Sequence, residues 1–409
     1  MSLLSEQKTN DQDNQNNKNT LWNKSFIFLV LISFITAMGF NMVYTIISKY
    51  AMEMQDSLAI AGVISGIFSI AALVVRPFAG MTVDTFNKKT LCIIANILIG
   101  ASVLGYAFSP SIPVLFVFRV LHGIAFGISS TANIALVTGF IPKERLGEGI
   151  GYYGIGQVLS AIIGPYLGVS IAEKSGFEQL FIIITILSFI AAALLFMLPY
   201  PKSQEGQKKS KAKFSMSSMI AKEVIVYTII GGIFSFGNGI VSAFLILLGQ
   251  ARNISNTSLF FSVGAIVLFV LRLFVGRFVD KQGLTLTVNI SLVVSAISMF
   301  LIGVAPTIAL LVVASVLKSI GQGGGQISLQ AECIKRVDPC RVGVATSTFY
   351  IGADIGQGLG PILGGEISAR FSYATTFYMC AAIIMASMVL FNLYQRKISR
   401  QAAVVVNPE

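Results

Sequence analysis

The chain reads as an all-α membrane protein of twelve transmembrane helices, arranged in two six-helix halves related by internal duplication. Three observations predict this. The 409 residues are 55% hydrophobic and only 11% charged, with a mean hydropathy of +0.79, a balance that suits lipid better than water. Long apolar stretches recur along the whole chain, separated by short polar turns. Identical residues also recur at one fixed separation of 196 positions.

The apolar spans fall at about 25–48, 58–80, 88–109, 111–140, 148–172, 177–198, 223–248, 256–279, 284–305, 307–331, 342–367 and 373–394. Each is close to or above the roughly 20 residues that a helix needs to cross bilayer hydrocarbon. Residues 1–24 are polar and Asn/Gln-rich with no hydrophobic stretch, so they are expected to form a disordered cytoplasmic tail and not a signal peptide. Residues 25–198 form the first six-helix bundle, 199–222 a basic cytoplasmic linker, 223–394 the second bundle and 395–409 a cytoplasmic tail. The linker holds the densest run of lysines, which is suited to anionic headgroups.

Orientation follows from the basic residues. With both termini inside, only Lys49, Lys174, Arg252 and Arg370 of the 29 lysines and arginines lie outside, while Arg119 and Lys318 lie within spans. The net charge of +11 is therefore a property of cytoplasmic segments and not a nucleic-acid-binding face. Cys92, Cys333, Cys340 and Cys380 have no paired spacing, and with the lone His122 they give no metal site.

The duplication is specific. Arg76 pairs with Arg272, Phe78 with Phe274, Gly80 with Gly276, Asp84 with Asp280, Arg145 with Arg341, Gly147 with Gly343, Gly156 with Gly352, and Gly164-Pro165 with Gly360-Pro361, all at the 196-residue offset. In such duplicated carriers, solute sites lie near the midplane between the halves. Proline within a span removes a backbone hydrogen bond, so the two Gly-Pro pairs mark matched bend points.

Between spans two and three runs RPFAGMTVDTFNKK, Arg76 to Lys89. Gly80 permits close helix approach and Asp84 can accept hydrogen bonds at a helix end. Lys88 and Lys89 hold the loop at the cytoplasmic face. RLFVGRFVDKQG repeats it in the second half with Arg272, Gly276 and Asp280. This pattern resembles the G-x-x-x-D-R-x-G-R/K-R/K signature of the major facilitator superfamily, with Thr85 and Asn87 replacing its arginine and glycine. Asn tolerates a left-handed backbone, so the turn is expected to survive.

Span four carries Arg119, His122 and Gly123, similar to the R-x-x-Q-G signature that this superfamily associates with proton coupling. In span five, Gly151, Gly164, Pro165 and Gly168 resemble the glycine-proline signature of its drug-proton antiporters, and Gly356, Gly360, Pro361, Gly364 and Gly365 repeat its tail in span eleven.

Charges within spans are expensive to keep and mark function. Asp354, about 11 residues into span eleven, falls near mid-membrane at about 1.5 Å per residue. Lys318 lies at similar depth in span ten. The two are expected either to form a structural ion pair or to open as Asp354 gains and loses a proton. Arg119 and His122 complete the proton-linked candidates, and His122 is equally readable as a packed polar residue. Asn41, Tyr44, Asn133, Gln157, Asn238, Gln322 and Gln326 are expected to line a cavity, with Phe236, Phe349 and Tyr350 as aromatic walls.

The resemblance implies a monomeric, proton-coupled secondary active transporter in the cell membrane. It would export a small apolar or amphipathic compound, a drug or metabolite, by alternating access, as multidrug resistance pumps do. Proton symport or facilitated uptake of a nutrient remains open, because Ser160 and Val169 replace two glycines of the export signature. An intramembrane enzyme or receptor is a further alternative. Lys318 and Ser319 are its only local catalytic pair, and adjacent helix positions point apart. No G-x-x-x-x-G-K-[ST] loop is present, so nucleotide hydrolysis by that route is excluded and no cofactor is expected.

Overall fold

The structure, a computed structural model, describes residues 22–142, 146–200, 220–272, 274–337 and 342–406. In chain order the helices of the first half are α1 (Lys24–Met54), α2 (Leu58–Thr85), α3 (Lys88–Ala107), α4 (Ile112–Val137), α5 (Leu146–Ser175) and α6 (Phe177–Met197). Those of the second are α7 (Ile225–Ala251), α8 (Leu259–Arg272), α9 (Val275–Gln282), α10 (Leu284–Val304), α11 (Ile308–Lys335), α12 (Val342–Arg370) and α13 (Tyr373–Val406).

Ten of these helices are long and apolar enough to cross a membrane, and Leu259–Leu271 is a shorter apolar helix. The expected eighth span is the broken pair α8 and α9, interrupted around Phe274. The expected eleventh is α12, which has the length, at 29 residues, but whose glycines and Asp354 dilute its hydropathy. The last helix runs past the expected span end at 394 to Val406. Most of the 1–24 tail and of the 199–222 linker lies outside the described residues.

Helix starts follow local chemistry. The Asn23 side chain accepts from the Phe26 N–H at 2.8 Å, and the Ser57 hydroxyl from Ile60 N–H at 3.4 Å, which satisfies otherwise orphaned donors. Asn87 does not use the left-handed backbone expected of it. Its φ is −64°, and its side chain caps α3 by accepting from Thr90 N–H at 3.2 Å. The duplicate position, Gly283, does turn left-handed with φ +82°. The two copies thus solve one turn in two ways.

The duplication is visible in packing. On α5, Gly156, Ser160, Gly164 and Gly168 form a stripe at every fourth position, facing α1. A methyl group at Gly156 would meet the Val30 carbonyl oxygen at 2.8 Å, and one at Gly168 the Met42 oxygen at 2.9 Å. The equivalent stripe on α12, Gly352, Gly356, Gly360 and Gly364, packs on α7 against Thr228, Gly232, Phe236 and Phe244. Both Gly-Pro pairs sit inside continuous helices within these stripes.

The halves meet along two duplicated seams, α2 with α12 and α5 with α8, and also where α1 faces α7. In the first, Gly62 and Gly66 lie against Gly358, Pro361 and Gly365, and a methyl group on Gly62 would reach Gly365 Cα at 3.0 Å. In the second, the Ser262 hydroxyl donates to the Ile162 carbonyl at 2.5 Å. These contacts lie toward the end of the bundle where α1 finishes and α2 begins, here called the far end. An apolar cluster there holds α1, α2, α4 and α6 together with Ile246 of α7. The opposite, terminal end carries the start of α1 and the end of α13. Its cluster of Phe26, Leu29, Leu136, Tyr153 and Leu195 draws only on the first half among the described residues. Among the described residues, the contacts between the halves gather toward the far end, and the apolar cluster of the terminal end belongs to the first half alone.

Gly356→Leu should prevent α12 from seating on α7, lowering stability by more than the roughly 1 to 3 kcal/mol of ordinary overpacking, because the obstacle is the Gly232 carbonyl and not a mobile side chain. Gly154→Leu, with nothing within 4 Å of its added methyl group, is the control. Thermal unfolding of the two purified variants should separate them clearly.

Candidate functional site

A cavity of about 490 Å³ opens among the helices of the first half, with one residue of the second half, Tyr350, on its wall. Its walls come chiefly from α1, α4 and α5, including Ser33, Phe40, Asn41, Asn133 and Gln157, with Arg76 of α2 and Tyr350 of α12. Asn41, Asn133, Gln157 and Tyr350 lie on its wall, whereas Tyr44, Asn238, Gln322 and Gln326 do not and belong to the polar network around Lys318. Asn41 is fixed by donating to Ser160 Oγ at 3.0 Å, and Asn133 by donating to Ser129 Oγ at 3.1 Å. Stacked Phe40 and Phe126 rings, 4.9 Å apart, supply the aromatic wall. Phe236 and Phe349 do not line this cavity: both are buried in the apolar core of the second half. Phe349 packs where a side chain on Gly231 would otherwise go.

Asp354 does not pair with Lys318. Its carboxylate takes a two-point ion pair from Arg76 on α2, Nη2 donating to Oδ1 at 3.1 Å and Nε to Oδ2. Arg76 belongs by sequence to the turn motif, yet its side chain turns back from the helix end into the cavity. Planar two-point geometry makes this a strong form of ion pair. The side chains remain partly accessible, Arg76 at 25% and Asp354 at 15%. The pair bridges the two halves, on the terminal side of the Gly66–Gly358 contact.

Lys318 lies in a polar network. Its ammonium donates to Asn238 Oδ1 at 2.8 Å and to Gln322 Oε1 at 2.7 Å. Gln322 donates to Gln326 at 3.2 Å, and Gln326 to Ser235 Oγ at 2.7 Å. Asn238 donates to Gln357 at 3.0 Å and to the Tyr44 hydroxyl at 3.2 Å, and Gln357 also donates to Tyr44. Tyr44 belongs to the first half, so this network is a third polar tie between the halves, after Ser262–Ile162 and Arg76–Asp354.

Arg119 is 2% exposed and is held by carbonyls instead of an acid. Its Nε donates to the Ile64 oxygen at 2.9 Å and Nη2 to the Ser65 oxygen at 3.3 Å, while the guanidinium lies over the Phe68 ring at 4.7 Å. It locks α4 onto α2, where Gly123 packs against the Phe68 backbone. His122 sits beside it, Nδ1 hydrogen-bonded to the Tyr106 hydroxyl at 2.8 Å, and reaches the cavity wall.

In the loop motif, Lys89 donates to the Phe196 and Leu198 carbonyls at 2.9 and 2.7 Å, which caps the end of α6. Lys88 begins α3. The side-chain surroundings of Gly80, Asp84, Arg272, Gly276 and Asp280 lie outside the described residues. Reasoning from sequence missed Arg76 as a cavity residue and Gln357 as a cross-half tie. The signal for Gln357 was its place one helical turn after Asp354.

Two duplicated six-helix halves joined by polar ties, with a cavity opening among the helices, are the architecture of a membrane transporter. The chain belongs to the major facilitator superfamily, whose family model matches residues 29–289 and 228–405. It is 22% identical over 366 residues to an uncharacterized transporter of this type from Methanocaldococcus jannaschii, covering 88% of this chain and 95% of that one. It is 25% identical over 347 residues to the multi-drug resistance efflux pump PmrA of Streptococcus pneumoniae, covering 82% and 86%. The fold matches the crystal structure of a mutant form of the nucleoside transporter NupG with a TM-score of 0.79 at 16% identity, covering 90% of this chain and 99% of that one.

Arg119→Ala should destabilise the α2–α4 contact by about 2 to 4 kcal/mol, the loss of two charged hydrogen bonds. The check is a lower melting temperature for the purified variant, with Arg119→Lys falling between it and the parent.

Proposed function

We propose that the chain is a proton-coupled secondary active transporter that exports a small amphipathic compound across the cell membrane by alternating access. The single observation that carries this reading is the Arg76–Asp354 pair, a titratable contact that bridges the halves and whose Arg76 lies on the wall of the cavity. With both termini cytoplasmic, as the distribution of lysine and arginine favours, the terminal end faces the cytoplasm and the far end, where contacts between the halves gather, faces outward. Bundles 25–198 and 223–394 are the rocking bodies, joined by linker 199–222 and working as a monomer. Gly80 and Asp84, with their copies Gly276 and Asp280, act as conformational turns.

The pair gives coupling a physical route. A charged Asp354 satisfies Arg76 and favours the arrangement in which α2 and α12 are tied. Protonation removes the anion, leaves a partly buried guanidinium uncompensated, and shifts the balance toward another arrangement. In the export cycle, Asp354 loses its proton to the cytoplasm as the pair forms and cargo enters. Reorientation breaks the pair, Asp354 takes a proton from outside, and cargo leaves. Similarity to an efflux pump supports the direction of transport.

In proteoliposomes with an imposed pH difference, Asp354→Asn should lose uphill transport and its response to the gradient, while downhill exchange persists. Arg76→Gln should impair coupling too, and the double variant should be no worse than Asp354→Asn alone, since both changes remove one interaction. Lys318→Ala, which does not touch Asp354, should leave the pH profile in place. Uphill pumping by Asp354→Asn with an unchanged pH dependence would sink the assignment.

A further inference from the structure

Lys318 has a setting that proton coupling through Asp354 does not use. It begins a row of polar residues at every fourth position of α11, Lys318, Gln322, Gln326 and Gln330, so all four lie on one helix face. The glutamines are each partly exposed. The row descends from mid-helix toward the terminal end, where Gln330 donates to the hydroxyl of cavity-lining Tyr350 at 3.1 Å. It is a polar track leading from the terminal end to a buried ammonium.

That ammonium has no acid within 4.0 Å among the described residues, and its two acceptors are neutral amide oxygens. Arg119 is likewise met by carbonyls, and the one carboxylate at this depth, Asp354, is taken by Arg76. Among the described residues, Arg76, Arg119 and Lys318 thus share one anion at this depth. A lysine ammonium has three protons to donate, and two are placed here on weak partners. An oxyanion would form a charge-assisted bond, roughly twice as strong as a neutral one.

We propose that Lys318 is a binding site for an anionic group, a carboxylate or similar oxyanion, carried by the transported compound. Resting on the transport reading above, this narrows the cargo to anionic or zwitterionic amphiphiles, since a lipophilic cation would meet uncompensated positive charge. The apolar part of such a molecule lies toward Phe40 and Phe126, whose stacked rings line the cavity. The oxyanion displaces Asn238 Oδ1 from Lys318. Asn238 also ties Gln357 to Tyr44 across the halves, so arrival of the anion acts directly on a contact that holds the present arrangement.

The test is binding to the full-length protein purified in neutral detergent, using two probes of one shape and opposite charge, 1-naphthaleneacetate and 1-naphthylmethylammonium. Thermal unfolding is read with a thiol-reactive dye on the buried Cys92, Cys333 and Cys380. Millimolar naphthaleneacetate should raise the melting temperature and the ammonium probe should not. Lys318→Met should weaken anion binding at least tenfold, and Lys318→Arg should retain most of it. Equal or stronger stabilisation by the ammonium probe overturns the site, and that result needs no variant, so a misfolded Lys318→Met does not block the test. Unchanged anion binding in a folded Lys318→Met overturns it as well. Anion binding that depends on Lys318 in a protein whose Asp354→Asn form still pumps uphill would support this site and remove only the coupling assignment. Proton-driven export of a lipophilic cation without anion binding would remove this site alone.

Discussion

Close approach of helix backbones sets everything else in this molecule. In lipid there is little hydrophobic drive to bring one apolar helix against another, so association depends on fit. The glycine stripes of α5 and α12 supply it, placing them against α1 and α7 with no side chain between. Each half thereby gains a fixed pair of helices facing its partner half. The second face of α12, with Gly358 and Gly365, can then contact α2, and only that contact brings Asp354 within reach of Arg76. A bulkier α12 would hold the halves apart and leave both charges without partners.

Charge is handled differently at three places in the same low-dielectric interior. Arg119 is neutralised locally by backbone oxygens and an aromatic face, a static solution that fastens one half. Arg76 is neutralised by a group from the other half, which makes its comfort conditional on how the halves sit. Lys318 is solvated by amides, a solution that an incoming anion can improve upon. A fixed cation, a conditional one and a receptive one give the interior a division of labour that its neutral polar residues could not provide.

Much of the architecture was legible from the chain. Twelve apolar spans and the 196-residue offset announced two similar halves, because hydropathy and duplication are written in every segment. Partnerships were harder. Asp354 and Lys318 sit at similar depth on helices consecutive in the chain, which suggested a pair. In space, α12 lies between α7 and α2, so the cation that reaches Asp354 comes from 278 residues away. Arg76 was read with the turn that follows it, although a long arginine side chain can reach well back along its helix. Phe236 and Phe349 looked like cavity walls because composition does not say which way a helix face points. Their burial follows from the glycine contacts that turn that face of α12 toward α7.

The two seams between the halves are duplicates that have drifted apart. Gly66 and Ser262 occupy the same place in their repeats, as do Gly358 and Ile162. One seam meets through backbone at its glycines and is crossed on its terminal side by the Arg76–Asp354 ion pair, while the other carries a neutral bond from the Ser262 hydroxyl to the Ile162 oxygen. The approximate twofold symmetry of the molecule therefore conceals a chemical asymmetry: the α2–α12 side holds a contact whose strength depends on a proton, and the α5–α8 side holds one that a proton does not alter.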